Sequence, residues 1–239
     1  MEKKRQIKIL AIITLVLAVT ALTLGYAAFS TTLNISSSAS VTPTSDDFKM
    51  TVYGFKDLES REQFIQNGYI FNENYFDSNT LHGFNSGTNS GIWLNSATID
   101  NVNKKISNIS ATITDDGVYA PYPLLIRNEG KYAAYLNIDD FTPYETTIAA
   151  PITYGTCTAE PGTSQALVNG ICDKIYVMEI ITLRIDNIEV NIDEGYVMIP
   201  PGEYLLFSIT ITADNFDYPA DGPFSVSFPD IKLNFSTTK

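Results

Sequence analysis

The feature that most constrains this chain is a period of two. Ile109, Ala111 and Ile113 alternate with Ser110, Thr112 and Thr114, and Leu205, Phe207, Ile209 and Ile211 alternate with Leu206, Ser208, Thr210 and Thr212. Successive side chains of a strand point to opposite faces, so this pattern predicts strands with one buried and one open face. Met50 and Val52, Leu124 and Ile126, Ala134 to Ile138, Phe224 to Phe228, and Ile231 to Phe235 extend the pattern. Turn residues interrupt it at Asp115-Asp116-Gly117, Asn128-Glu129-Gly130, Glu194-Gly195, Pro200-Pro201-Gly202 and Asp221-Gly222-Pro223. The run Ile175 to Ile185 is almost continuously apolar and predicts a central strand buried on both faces. Helix signals are few. The best is Asp57 to Gly68, where Ser60-x-x-Gln63 resembles a capping box, and it predicts one short helix capping an end of the fold. The expected fold is all-β: an antiparallel two-sheet sandwich with Greek-key or jelly-roll connections.

The N-terminus is different in kind. Lys3, Lys4, Arg5 and Lys8 precede an apolar run from Ile9 to Leu24, and Gly25-Tyr26-Ala27-Ala28 follows. A basic start, an apolar stretch and small residues are the parts of an export signal, with Ala27 and Ala28 as cleavage positions. The run Ile7 to Phe29 is also long enough to span a bilayer uncleaved. Residues 1–28 are therefore a signal peptide or a membrane anchor. Residues 29–239 are a single exported domain, extracellular or at the cell surface, touching the membrane only through the N-terminal segment. Signal peptidase is the partner expected during export.

Beyond the greasy helix the pattern changes within a few residues. Leu33, Ile35, Ala39 and Val41 fall on one face of a strand, with Thr32, Asn34, Ser36, Ser38 and Ser40 on the other. Domains often tie their N-terminus into a sheet, which makes this strand one of its own sandwich. The same four apolar residues would also serve strand donation to another subunit, because an open sheet edge offers unpaired N–H and C=O groups.

Net charge is −12, and removing the basic N-terminal segment leaves −15. Such an acidic body repels phosphate backbones, so no nucleic acid is expected as partner. Cys157 and Cys172 are the two cysteines, and they flank a polar loop rich in Pro, Gly, Ser and Thr. In an exported chain this spacing predicts a disulfide. His82 is the one histidine, in a loop, and no metal site is expected. No nucleophile–base motif and no phosphate loop is present, so the expectation is a protein without a reactive centre. Calcium is the one cofactor the composition admits. Asn72-Glu73-Asn74 with Asp77, Asp115-Asp116, and Asp214-Asn215 with Asp217 and Asp221 offer oxygen ligands, but not at the spacing of a helix–loop–helix site. Asx turns account for these clusters equally well.

The segment 69–95 is an aromatic excursion, too apolar for a disordered linker. Its Tyr69, Tyr75, Phe76 and Trp93 would stack on a sugar in a surface adhesin or carbohydrate-binding module, or pack as a satellite core beneath a long loop.

Three stretches carry a family likeness. Gly25-Tyr-Ala-Ala-Phe29-Ser after the basic start resembles the export signal of the TasA/camelysin-type proteins of Gram-positive bacteria, which depend on the signal peptidase SipW. Leu124-Leu-Ile-Arg-Asn128-Glu-Gly130 followed by Ala133-Ala-Tyr-Leu-Asn-Ile138 is similar to that family's strand, Asn-x-Gly turn, strand unit. Pro201-Gly202-Glu203 feeding Phe207-Ser-Ile-Thr-Ile-Thr212 is similar to its Pro-Gly-acidic turn and Thr/Ile strand. The resemblance implies a jelly-roll subunit of the cell envelope or biofilm matrix. Its partners would be further copies or related matrix subunits, joined into fibres by N-terminal strand donation. Camelysin's protease activity does not carry over, because no histidine pair is present to hold zinc.

Overall fold

The computed structural model describes residues 47–84, 91–115, 119–138, 142–144, 147–182, 195–213, 217–219 and 222–238. The expected cleavage positions Ala27 and Ala28 and the strand-donation residues Leu33, Ile35, Ala39 and Val41 lie outside them.

In its first half the chain forms β1 (Met50–Phe55), β2 (Phe76–Asp77), β3 (Thr80–Leu81), β4 (Ile92–Leu94), β5 (Ala97–Asp100), β6 (Lys105–Ser107), β7 (Ser110–Ile113), β8 (Tyr119–Asn128) and β9 (Ala134–Asn137). The second half forms β10 (Thr142–Tyr144), β11 (Thr147–Tyr154), β12 (Thr156–Ala159), β13 (Ile175–Thr182), β14 (Tyr196–Ile199), β15 (Tyr204–Ala213), β16 (Phe224–Ser227), β17 (Ile231–Lys232) and β18 (Phe235–Ser236). Helix α1 (Leu58–Gln66) separates β1 from β2, and α2 (Gln165–Asn169) separates β12 from β13.

One layer is a seven-stranded sheet in the order β10-β11-β13-β15-β8-β1-β2. Three smaller sheets face it: β12-β16-β7-β4, β14-β9-β18 and β17-β6-β5-β3. All pairings between these strands are antiparallel. From β8 onward the chain mostly changes sheet between consecutive strands, as a sandwich with crossing connections requires. The alternating positions meet between the layers. Met50, Val52, Leu124, Ile126, Phe207, Ile209 and Ile211 of the large sheet share one core with Ile99, Ile113, Leu136, Val197 and Phe224 of the small ones. Tyr122 crosses this core from β8. Its hydroxyl lies 2.6 Å from the Asn95 carbonyl and 2.8 Å from that of Ser110, donating to one at a time.

The two turn units picked out by sequence meet at Asn128. Its backbone N–H donates to the Glu203 carbonyl (2.9 Å), and its carbonyl accepts from Gly202 N–H (2.8 Å). The fully buried side chain is also satisfied. Nδ2 donates to the carbonyls of Tyr132 and Ile199, and Oδ1 accepts from Gly130 N–H. Gly202 has φ +81°, the left-handed value that the third position of a type II turn needs. Gly130 serves a different need: a Cβ there would lie 2.5 Å from the Asp47 carbonyl oxygen.

Three details differ from expectation. There are two α-helices among the described residues, not one. α1 is capped by Asp57, whose carboxylate accepts from Ser60 N–H at 2.7 Å, and not by a box starting at Ser60. Moreover, α1 lies over the outward face of the seven-stranded sheet, not at an end of the sandwich, because Phe64 packs there against outward Leu125 and Tyr204. The third detail is β13. It buries Ile175, Val177 and Ile181, but Tyr176, Met178 and Ile180 on its other face stay half-buried.

Candidate interaction surfaces

The four aromatic residues predicted to stack on a ligand are divided by the fold. Tyr69, Tyr75 and Phe76 join Phe55, Phe64, Phe71, Phe84, Leu125 and Tyr204 in a second apolar cluster on the outward face of the large sheet. Phe71 stacks on Phe76 at 5.2 Å and 9°, and Phe64 meets Tyr69 edge-on at 5.5 Å. The Arg127 guanidinium sits 4.0 Å above the Phe71 ring. Tyr69 takes a left-handed φ of 63°, and its backbone is fixed at both ends: its N–H donates to Phe64 C=O, and its C=O accepts from the Tyr204 hydroxyl. These aromatics are a satellite core. Trp93 is apart from them, 61% exposed on edge strand β4.

A groove of about 240 Å³ runs beside this cluster, lined by Arg61 and Ile65 of α1 and by Pro121, Pro123, Leu206 and Ser208 of the sheet. It offers one cation and hydroxyls, with no carboxylate or histidine among its lining residues. That set suits packing or binding, and provides no acid–base pair. His82 Nδ1 lies 3.1 Å from the Ser96 hydroxyl.

The polar network beside the cluster is centred on Glu129. Its carboxylate accepts from Tyr53 (2.6 Å), Thr51 (3.0 Å) and Lys49 (2.7 Å). Burial alone would raise its pKa, but these bonds outweigh burial and hold it below the usual carboxylate range. The Tyr53 hydroxyl is pushed well above its ordinary value by burial and by donating to Glu129. Glu179 is different. It points inward on β13 between Val177 and Ile181, opposite a bulge in β11, and burial without a compensating charge raises its carboxyl to about 7.

Of the oxygen clusters considered for calcium, the one at Asn72 to Asp77 closes Asx turns. Asn72 Oδ1 accepts from Asn74 N–H, and Asp77 Oδ1 accepts from Asn79 and Thr80 N–H. Asp116, Asp214, Asn215 and Asp221 lie outside the described residues. Cys157 and Cys172 form the expected disulfide, with Cα atoms 5.9 Å apart. It ties β12 to the short 3₁₀ turn that leads into β13.

Sheet edges show a feature that sequence reading missed. Among the described residues the outward edge of β1 is paired only over Gly54 and Phe55, by the two residues of β2. At Val52 a side chain replaces the strand. Asn101 Oδ1 accepts the Val52 N–H (2.7 Å), and its Nδ2 lies 3.0 Å from the Val52 carbonyl. Asp100, whose carboxylate accepts from Val102 and Asn103 N–H, holds that turn in place. β12 is treated likewise. Gln165 of α2 accepts from Ala159 N–H (2.9 Å) and donates to the Cys157 carbonyl (3.1 Å). An amide side chain offers an N–H donor beside a carbonyl acceptor, as a peptide unit does, so each acts as one residue of a missing neighbour strand, and the second N–H of each is held by Ser78 C=O and Asn169 Oδ1 respectively.

These surfaces define an antiparallel β-sandwich with blunted edges and one disulfide. Neither a scan against protein-family models nor a search of the curated proteins finds a match.

Proposed function

We propose that the chain is an exported, non-enzymatic structural protein of the cell surface or biofilm matrix, of the TasA/camelysin type, that assembles by donating the strand Leu33–Val41. The observation that supports this most is the pair of amide-closed edges. Asn101 and Gln165 each satisfy an edge with two hydrogen bonds, worth on the order of 1 kcal/mol apiece net. An incoming strand supplies the same bonds and also buries alternating side chains such as Leu33, Ile35, Ala39 and Val41. A lone side chain therefore keeps an unassembled copy soluble without making its edge permanently unavailable. Export follows from the basic and apolar N-terminal pattern, with signal peptidase acting near Ala27 or Ala28.

The test compares the chain starting at Phe29 with the same chain lacking Thr31 to Val41, by electron microscopy and size-exclusion chromatography. Fibres or oligomers from the first and monomers from the second are expected. Monomers from both would overturn the reading.

A further inference from the structure

The outward face of the β12-β16-β7-β4 sheet is built differently from the rest of the surface. The register sets its residues in two cross-strand rows. Trp93, Thr112, Ser225 and Thr158 form one row. Asn95, Ser110, Ser227 and Thr156 form the other, with Asn95 joined to Ser110 by its N–H to the Ser110 carbonyl and by a 3.1 Å side-chain bond. Neighbours within a row stand about 4.8 Å apart and the rows about 7 Å apart, by ordinary sheet geometry. The intervening residues Ile92, Ala111, Ile113, Cys157, Phe224 and Val226 are buried, so the two rows are the whole outward face of these strands.

Each of the eight positions carries a hydroxyl, an amide or an indole, and none carries a charge. Glu160, which follows β12, brings one carboxylate against the first row, where it accepts from the Ser225 hydroxyl. Trp93, Asn95, Thr156, Thr158 and Ser227 are exposed. The sheet is pinned from behind by Tyr122, whose hydroxyl reaches the carbonyls of Asn95 and Ser110 and donates to one at a time.

We propose that this face binds a neutral polysaccharide, with Trp93 as the stacking platform and Thr112, Ser225 and Thr158 as the hydrogen-bonding row beside it. The charge pattern selects this occupant. The acidic body repels a polyanion, and a polycation would find no carboxylate row here. A protein interface would require an apolar centre, whereas Trp93 stands alone among polar groups. Hydroxyls both donate and accept, which matches a ligand whose own groups do both, and a sugar ring lays its C–H face on an indole. An open sheet face fits a chain lying across it better than a small molecule, which needs a concave site.

This binding is independent of strand donation, so the two readings can fail separately. Trp93 is the chain's one tryptophan, and its fluorescence reports on this face alone. The full chain is titrated with a soluble β-glucan, dextran, a mannan and a galactan, with hyaluronan as the anionic comparison. At least one neutral polymer is expected to give a saturable change in Trp93 emission and to retard the chain in an affinity gel. Trp93→Ala should abolish that retardation. Thr112→Val with Thr158→Val should weaken it by about tenfold, at an unchanged melting temperature. Deleting Thr31 to Val41 should leave it intact. No response to any neutral polymer, a response to hyaluronan alone, or full affinity in a folded Trp93→Ala chain would each overturn the proposal.

Discussion

The two outward faces of this sandwich carry the same alternation and meet opposite fates. On the seven-stranded sheet the outward positions Phe55, Leu125 and Tyr204 are apolar, and the chain spends α1 and the aromatic excursion to cover them. On the β12-β16-β7-β4 sheet they are Ser, Thr, Asn and Trp, and the described residues leave five of the eight exposed and Ser110, Thr112 and Ser225 half-buried. The difference shows that period two decides which residues share a face, while residue type decides whether that face is covered. A covered face contributes stability. An open one contributes little, and its composition is free to serve recognition.

The largest expected effect breaks the covered face. Phe64 is buried at the centre of the satellite core, touching Phe55, Phe76, Tyr69 and Tyr204. Phe64→Ala removes a large buried side chain and should cost about 3–5 kcal/mol in urea unfolding. A cost under about 1 kcal/mol would mean that the excursion is not held by this cluster.

An inward residue gives the next effect and sets a scale for both faces. The Glu179 carboxyl holds its proton up to about pH 7 when folded, against an ordinary value of 4.5. The unfolded chain thus ionises first as pH rises. Stability from this group is complete below about pH 4.5, falls between 4.5 and 7, and levels off above 7. Glu179→Gln removes the dependence. It should raise unfolding free energy by roughly 2–3 kcal/mol at pH 8 and leave it nearly unchanged at pH 4. Equal effects at both pH values would show that the carboxyl is not desolvated.

Most of the fold was legible because alternation is a local signal. β7, β8, β15 and β16 fall where Ile109–Thr114, Leu124–Ile126, Leu205–Thr212 and Phe224–Phe228 predicted them. What escaped depends on layer pairing. β2 has two residues and β4 three, too few to display a period, so Phe76 and exposed Trp93 read alike. The apolar run at Ile175 suggested burial on both faces, but only a cover over its outward side would have achieved that. Asn101 is 49 residues from Val52, and an asparagine in a turn looks the same whether or not it closes a distant edge. Gln165 was nearer at hand, 6 residues from Ala159, but nothing in its spacing marks it as a surrogate strand.

Those two amides supply a smaller effect. Asn101→Ala and Gln165→Ala each leave a donor and an acceptor on an edge strand without their present partner, and each should cost about 1–2 kcal/mol. Both variants should also assemble faster than the parent, as seen in the lag time of light scattering, if strand addition competes with the side chain. Destabilisation with an unchanged lag would assign the amides a purely structural role.

The smallest effect is expected on the open face, where a null result carries the meaning. Thr158 is exposed, and no hydrogen bond of its side chain is seen among the described residues. Valine matches threonine in shape and in its preference for strands. Thr158→Val should therefore change the unfolding free energy by no more than about 0.5 kcal/mol. A cost of 2 kcal/mol or more would show that the hydroxyl face is part of the structural framework, and the contrast with the satellite core would vanish. A near-zero change in stability combined with weaker retention on a neutral polysaccharide would separate the faces fully: one holds the sandwich together, the other is available to a ligand.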